Sequence, residues 1–272
     1  MSKYRKPHRI KKRKSIIKNR FFWKGVLIFI FIIFAVYFLL FSDFFQIDKT
    51  IISGNKRVLK EEILNIIERR LNKKRLFFSG RNIFLVNTDL MRKEILESFP
   101  QIADARIIKK LPATLSFAVF ERTEVARFCE VSILSEVGKC YLLDKNGVIF
   151  EEATEENTQI PTLKKSILNK RVRLGQEILD KDLVSKITKI FINLKDLEIP
   201  IKDISIVSED KIVVNTLQGW DIYFDPLKDL NWQLTKLKAV LENSIPIEKR
   251  GGLEYIELRF GNFAPFKYKE IE

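Results

Sequence analysis

A single apolar run near the start of the chain limits what this protein can be. Residues 21–41 read FFWKGVLIFIFIIFAVYFLLF and carry one charge, that of Lys24. At about 1.5 Å per residue, a helix of this length spans roughly 30 Å, which is the hydrocarbon thickness of a bilayer. The rest of the chain has mixed polarity and contains no second run of this kind. We therefore predict one transmembrane helix over residues 21–42.

The residues before this run predict how the chain is oriented. Eleven Lys and Arg side chains lie within residues 1–24, whereas the net charge of the whole chain is +14. Because positive flanks stay in the cytoplasm, we predict a basic cytoplasmic tail over residues 1–20 and an extracytoplasmic location from Ser42 on. The tail also favours anionic lipid, and a nucleic-acid or nuclear-import patch at Lys11–Lys14 is the less favoured alternative.

A cleaved signal peptide is the main alternative for the apolar run. Such a peptide has a shorter apolar region, followed by a cleavage site with small residues. The exit from this run, from Phe41 to Phe45, reads FSDFF and offers no such site. Aromatic residues flank both ends, as they do at the two interfaces of a bilayer. We therefore predict an uncleaved membrane anchor.

The residues after the span predict two domains of mixed α and β structure. Residues 43–121 follow the order β-α-α-β-β, with apolar residues at helical spacing over Leu59–Leu71 and Thr88–Ser98. Residues 122–272 are richer in strand-like alternation and contain two further helical patterns. The predicted fold class is α+β, with flanking helices on a β-rich second domain.

The chain has two cysteines, Cys129 and Cys140, which bracket a predicted hairpin loop. Outside the cytoplasm such a pair can be oxidised. We predict a disulfide across the hairpin that acts as a staple, because nothing around it resembles a redox motif. The alternative is two unpaired cysteines that pack as small apolar residues.

Residue types that most enzyme chemistry needs are missing after the span. The single histidine is His8, in the predicted cytoplasmic tail, so a Ser-His-Asp or Cys-His arrangement is excluded outside. Two cysteines leave a zinc site short of ligands, and the sequence has no Gly-x-Gly-x-x-Gly and no Walker loop. A membrane-tethered hydrolase that uses carboxylates remains an alternative. We predict a binding protein that is not an enzyme, with no cofactor and no metal.

Eight short segments, taken in order, carry a family resemblance. They are Ile51–Asn55, Pro100–Ala105, Lys110–Leu115, Glu121–Ala126, Leu143–Phe150, Ile160–Leu163, Lys236–Leu241 and Tyr255–Phe260. Together they resemble the FtsQ/DivIB family of bacterial cell-division proteins over nearly the whole chain. The sequence departs from the family pattern at Glu124, where proline is usual, at Glu257, where aspartate is usual, and at Phe260, where tyrosine is usual.

The resemblance implies a POTRA domain over residues 43–121, a β-rich domain over residues 122–272 and a scaffolding role. Family members recruit and bridge single-span division proteins of the FtsB and FtsL/DivIC type at the septum of the inner (plasma) membrane. The implied partners are therefore these proteins and membrane lipid, with no nucleic acid and no small-molecule substrate. The alternative is a membrane-anchored POTRA-type module for protein export or envelope assembly, against which the match at Tyr255–Phe260 argues.

The resemblance also implies that the last strands accept a strand from an FtsB-like partner. An open strand edge leaves backbone N–H and C=O groups unpaired, and an added strand satisfies them. We predict this edge over Tyr255–Phe260, with Phe263 and Phe266 as aromatic anchors. The predicted partner-binding residues are Tyr255, Glu257, Arg259, Phe260, Phe263 and Phe266. The alternative is that Ile256, Leu258 and Phe260 belong to the core, because one face of the strand must be buried.

Overall fold

The structure is a computed structural model that describes residues 20–73, 80–131, 139–154, 159–166 and 172–270. The predicted basic tail with His8, except Arg20, and most of the loop between the two cysteines lie outside these residues. The helices are α1 (Arg20–Phe41), α2 (Lys60–Leu71), α3 (Thr88–Ser98), α4 (Lys181–Asp196) and α5 (Leu230–Asn243). The strands are β1 (Lys49–Ser53), β2 (Ile102–Lys110), β3 (Thr114–Glu121), β4 (Glu124–Val131), β5 (Cys140–Asp144), β6 (Ile149–Glu152), β7 (Thr162–Ser166), β8 (Ile201–Ser208), β9 (Lys211–Thr216), β10 (Asp221–Phe224), β11 (Leu253–Glu257) and β12 (Phe266–Tyr268).

The first helix confirms the predicted apolar span. α1 has 22 residues, and none of its side chains is buried within the protein. Its most apolar stretch has a mean hydropathy of 2.7, and among the described residues it is the one helix long and apolar enough to cross a membrane. A helix that is apolar on every side and unburied matches the requirements of a lipid environment.

The chain divides into two compact units, each built from several stretches of sequence. The first unit comprises Met1–Ser53, Glu61–Met91 and Ile107–Phe117, and the second comprises Gly54–Lys60, Arg92–Arg106 and Ala118–Glu272. This division differs from the predicted domain boundary after residue 121, which remains a prediction.

The predicted order β-α-α-β-β is confirmed over β1, α2, α3, β2 and β3. These strands form a three-stranded sheet in the order β1-β3-β2. α2 buries Ile63, Ile67 and Leu71, which recur every fourth residue and therefore share one face. Gly54, just after β1, has a φ of +87°, and a Cβ there would lie 2.2 Å from the Val119 carbonyl oxygen. Only glycine fits this turn, because both the backbone angle and the space exclude a side chain.

The second sheet has nine strands in the order β12-β11-β10-β9-β8-β7-β4-β5-β6. Most neighbours are antiparallel, but β4 with β7, β7 with β8, and β10 with β11 are parallel. α4 and α5 bury their apolar sides in one core with this sheet. That core includes Val184, Ile187, Ile190 and Leu194 from α4, Leu234, Leu237 and Leu241 from α5, and Phe128, Trp220, Ile222 and Phe224 from the sheet side.

Two strands of this sheet, β7 and β12, were not predicted from the sequence. β7 reads TLKKS, and it pairs in parallel with strands on both sides. Its one large apolar residue, Leu163, is fully buried. Apolar and polar residues do not alternate along β7. Its strand conformation therefore depends on the two neighbouring strands that pair with it.

Cys129 and Cys140 lie directly opposite each other on β4 and β5. Their Sγ atoms are 1.98 Å apart, which is a disulfide bond, and their Cα atoms are 4.1 Å apart. The bond therefore joins two adjacent strands across the hairpin whose loop lies mostly outside the described residues.

Candidate partner-binding edge of the large sheet

β12 forms one edge of the nine-stranded sheet and β6 forms the other. The strand predicted as an edge, Tyr255–Phe260, therefore lies next to the edge strand β12. β11 pairs in parallel with β10 on one side and antiparallel with β12 on the other. β11 also ends at Glu257, three residues earlier than predicted. Phe266–Tyr268 folds back along β11, so the backbone of β11 is already paired on both sides.

The backbone of β12 has one side that faces away from the sheet. The Pro265 carbonyl accepts from the Glu257 N–H at 2.8 Å, and the Lys269 N–H donates to the Gly252 carbonyl at 2.9 Å. Because alternate residues of an antiparallel strand bond to the same neighbour, the N–H and C=O groups of Phe266 and Tyr268 point away from β11. This side offers two N–H and two C=O groups to an incoming strand.

Aromatic side chains cluster around this edge. Phe263 is 80% exposed and Phe260 is 57% exposed, while Phe266 and Tyr268 are each 36% exposed. The rings of Phe266 and Tyr268 meet edge to face, with centroids 5.7 Å apart. Exposed aromatic rings beside unpaired backbone are the features that an added strand uses for affinity and specificity.

Ile256 and Leu258 are core residues, as the alternative interpretation of this strand requires. Both side chains are fully buried. Ile256 pairs with Ile222 on β10, which also belongs to the core. Phe260 is exposed and does not share this role.

Tyr255 belongs to β11, and its side chain points to the face of the sheet that Ile256 does not occupy. Its ring stacks on that of Tyr223 on β10, with centroids 5.3 Å apart and planes 16° apart. Tyr255 pairs with Lys267 on β12, so one strand separates it from the open edge.

Glu257 and Arg259 bond to each other. Arg259 Nε and one terminal guanidinium nitrogen donate to the Glu257 carboxylate at 2.8 to 3.2 Å, and the Arg259 N–H donates to it at 2.9 Å. The side chain of Arg259 is only 18% exposed and that of Glu257 only 12%. The hydrogen bonds with Glu257 raise the pKa of Arg259 above its ordinary value. These two residues shape the turn after β11, and little of either side chain is available to a partner.

Lys236, on α5, also stabilises the turn after β11, a role that was not predicted from the sequence. Its ammonium donates to the carbonyl of Leu258 at 2.7 Å, of Gly261 at 3.1 Å and of Phe260 at 3.4 Å. The residue is only 6% exposed, and this burial lowers the pKa of Lys236 below its ordinary value of 10.5. The sequence signal for this role is the position of Lys236 directly before Leu237, which faces the core against which α5 packs.

Two family models match the chain. One is described as the POTRA domain, FtsQ-type, and matches residues 45–122. The other is described as cell division protein FtsQ/DivIB, C-terminal, and matches residues 133–259. The chain belongs to the FtsQ/DivIB family. A search of curated proteins returns no match.

Family membership makes this FtsQ/DivIB protein a scaffold of bacterial cell division, from a family that is not enzymatic. With α1 as its span, it is a single-pass membrane protein of the division machinery. The C-terminal match stops at residue 259, so Phe263, Phe266 and all of β12 lie beyond it. The family match therefore does not cover the edge strand.

Proposed function

We propose that this protein recruits and bridges FtsB- and FtsL-type single-span division proteins at the septum. In this proposal the N-terminus is cytoplasmic and residues from Ser42 on are extracytoplasmic, as the basic residues before the span favour. The FtsB-type partner adds a strand to β12. The observation that supports this mode is the open side of β12, with its outward N–H and C=O groups.

The side chains around β12 support the same mode. Phe266 and Tyr268 pair with Ile256 and Leu253, which are buried in the core, so their rings extend the apolar face of the sheet towards the edge. An added strand covers these two rings with its own inward side chains. We therefore propose Phe266, Tyr268 and the exposed Phe263 as the contact residues, with Glu257 and Arg259 positioning the turn that leads to them.

Proline at position 266 tests the backbone contact. Phe266→Pro removes an N–H that points away from β11, so it leaves the pairing of β11 with β12 intact. The loss of a hydrogen bond, with a partner carbonyl left unpaired, is expected to weaken binding of the FtsB-type extracytoplasmic segment about tenfold beyond the effect of Phe266→Ala. Phe266→Ala is the matched control, because it removes the ring and keeps the N–H. Binding is measured by titration against the full chain in lipid nanodiscs.

Equal affinities of Phe266→Pro and Phe266→Ala would show that no partner strand bonds to this edge. The thermal unfolding midpoint of both variants is measured alongside, so that loss of folding is separated from loss of binding. If Phe266→Pro unfolds early, Tyr268→Pro is compared with Tyr268→Ala in the same way, since the N–H of Tyr268 also points outward.

The cellular part of the proposal needs a separate experiment. Depletion of the protein in its own cells is expected to block division and give filaments. A fluorescent fusion is expected to restore division and to accumulate at mid-cell. Normal division in depleted cells, with a defect in envelope assembly, would favour the export or assembly role of other POTRA proteins.

A further inference from the structure

Residues 82–86, about forty residues after the membrane helix α1, contact the carboxyl end of that helix. The side-chain nitrogen of Asn82 donates to the carbonyls of Leu39 and Leu40, at 2.9 and 3.0 Å. The last carbonyls of a helix have no donors within the helix, so Asn82 satisfies two of them. The Asn82 side chain is fully buried, and its oxygen accepts from the Phe84 N–H at 2.9 Å.

Backbone and ring contacts strengthen this attachment. The Ile83 N–H donates to the Phe45 carbonyl at 3.0 Å. The ring of Phe45 lies 6.0 Å from that of Phe38, within α1, and 5.1 Å from that of Phe84. Aromatic contacts therefore run without a break from the membrane helix to Phe84.

The depth of this segment follows from the length of α1. Its 22 residues extend about 33 Å at 1.5 Å per residue, so its last turn reaches the boundary between hydrocarbon and headgroups. Asn82 bonds to carbonyls of that last turn. The residues next to Asn82 therefore lie at the height of the interfacial layer, where aromatic side chains are favoured.

Two consecutive side chains of this segment face outwards, between two that are buried in the protein core. Ile83 and Val86 are buried, whereas Phe84 is 44% exposed and Leu85 is 42% exposed. Phe44, just after the span, is 61% exposed. Large apolar side chains that protrude together beside a membrane helix have an available partner, which is the bilayer itself.

We propose that Phe84 and Leu85 form a second membrane contact that inserts into the lipid interface on the carboxyl side of α1. The partner is the surface of the bilayer that α1 crosses. Lys109 Nζ donates to the Phe84 carbonyl at 3.5 Å. A lysine in this position lays its alkyl chain along apolar surface and keeps its ammonium in the headgroup layer. With α1 and this segment both in the membrane, the first unit is held at a fixed tilt to the bilayer and does not swing on a single linker.

A fluorescent label that reports contact with lipid tests this proposal. Single cysteines replace Phe84, Phe44 or Glu62 in the full chain, and each carries a nitrobenzoxadiazole label in nanodiscs that hold one copy. The native cysteines form a disulfide, so only the added thiol reacts under non-reducing conditions. Phe44→Cys is the positive control.

Glu62→Cys is the matched negative control on the same unit. Glu62 is exposed near the start of α2, about 9 Å along the helix axis from Glu68. Glu68 in turn bonds to Arg81 beside the segment, at 2.7 Å. Glu62 therefore lies near the opposite end of α2 from the residue that bonds to Arg81.

Spin-labelled lipid is expected to quench the label at position 84 as strongly as the label at position 44. The quenching at position 84 is expected to exceed that at position 62 roughly twofold or more. Asn82→Ala is expected to reduce quenching at position 84 and leave that at 44 unchanged. Equal quenching by aqueous iodide at positions 84 and 62 overturns the proposal. A label at position 84 shielded from both lipid and iodide also overturns it, because protein would then cover the site. If Phe84→Cys does not fold, Leu85→Cys takes its place.

Discussion

Several turns are determined by buried polar side chains that bond to the backbone of a loop. The spacing of apolar residues in the sequence does not determine these turns. Asp144 is 3% exposed, and its carboxylate accepts from the Val148 N–H at 2.9 Å and from the Arg122 guanidinium at 2.5 Å. The side-chain amide of Gln233 accepts from the N–H of Asp225 and donates to its carbonyl, both at 2.8 Å. An unpaired buried polar group costs about 1–3 kcal/mol, so each of these residues favours one loop conformation over the alternatives.

Lys236 predicts a dependence of stability on pH. Burial lowers the pKa of its ammonium in the folded protein below 10.5, so the unfolded chain binds more protons between the folded pKa and 10.5. The free energy of unfolding therefore rises with pH across this window. Lys236→Met is expected to remove the part of the rise in the free energy of unfolding that Lys236 contributes. Urea denaturation in detergent micelles from pH 7 to 10 measures this.

The same substitution has a local effect that a second measurement detects. Without the ammonium, the carbonyls of Leu258, Phe260 and Gly261 lose a shared donor, so amide hydrogen exchange is expected to accelerate around this turn. Lys238→Met is the control, because Lys238 is exposed and pairs with Glu242 one turn along α5. Equal exchange rates in the two variants would mean that Lys236 does not hold the turn.

Asp221 predicts a substitution that increases stability. Burial, and then repulsion by Asp203, raises the pKa of Asp221 above its ordinary value of 3.8. The folded state thus binds more protons between 3.8 and the raised pKa, and stability falls as the pH rises through that window. Asp221→Asn removes the unfavourable charge, so at pH 7 it is expected to move the urea midpoint upwards.

Asp210→Asn is the control for this experiment, since it is expected to act in the opposite sense. The hydrogen bond from Ser208 lowers the pKa of Asp210 below its ordinary value, so its ionised form is favoured by folding. A lower midpoint for Asp221→Asn than for the unchanged protein would contradict the interpretation of Asp221.

At the scale of elements, strand order decides where the large sheet is open. β11 has the alternating pattern of an edge strand that packs one face on a core, and Ile256 is buried as that pattern predicts. A strand as short as β12, with three residues, carries no recognisable pattern, yet it occupies one edge of the sheet. A short edge strand also limits unwanted pairing, because it exposes only a brief stretch of backbone.

The disulfide between Cys129 and Cys140 predicts a loss of stability on its removal. It closes a loop with a sequence separation of 11, for which loop-closure entropy gives about 3 kcal/mol. Cys129→Ser with Cys140→Ser is expected to lower the free energy of unfolding of the second unit by about 2–3 kcal/mol. The control is the unchanged protein with and without reductant. A double variant as stable as the oxidised protein would show that strand pairing alone holds β4 against β5.

At the scale of the whole molecule, the chain divides into two compact units that do not follow the order of the sequence, and α1 belongs to the first of them. The second unit takes Gly54–Lys60 and Arg92–Arg106 from the first half of the chain and joins them to Ala118–Glu272. A protein of this kind acts by holding surfaces in place at a membrane, and its span is therefore a functional element.

A charge placed in the middle of the span is expected to impair membrane integration. Ile32→Arg lies near the centre of α1, where an arginine costs about 2.5–3.5 kcal/mol. Phe21→Arg is the control, because position 21 follows Arg20 at the end of the helix and a long side chain there reaches the interface. Alkaline extraction of membranes measures the integrated fraction. Equal fractions for the two variants would contradict the assignment of α1 as the span.

The sequence alone determined the elements that depend on local periodicity. The span, the two helices of the first sheet region and the strands that carry the cysteines all follow from apolar spacing, and α3 begins and ends at the predicted residues. Such spacing records which side of a segment is buried, and neighbouring residues suffice to show it. The order of short motifs was enough to identify the family.

Only the tertiary structure decided which segments meet. It placed β12 outside β11, joined Lys236 to the turn after β11, and brought Asn82 to the end of the span, about forty residues earlier in the chain. None of these contacts has a periodic signal, because each depends on the position of one side chain or on a partner strand distant in sequence. Pairing of backbone groups is nearly independent of residue type, so an open edge is set by the order of strands in space.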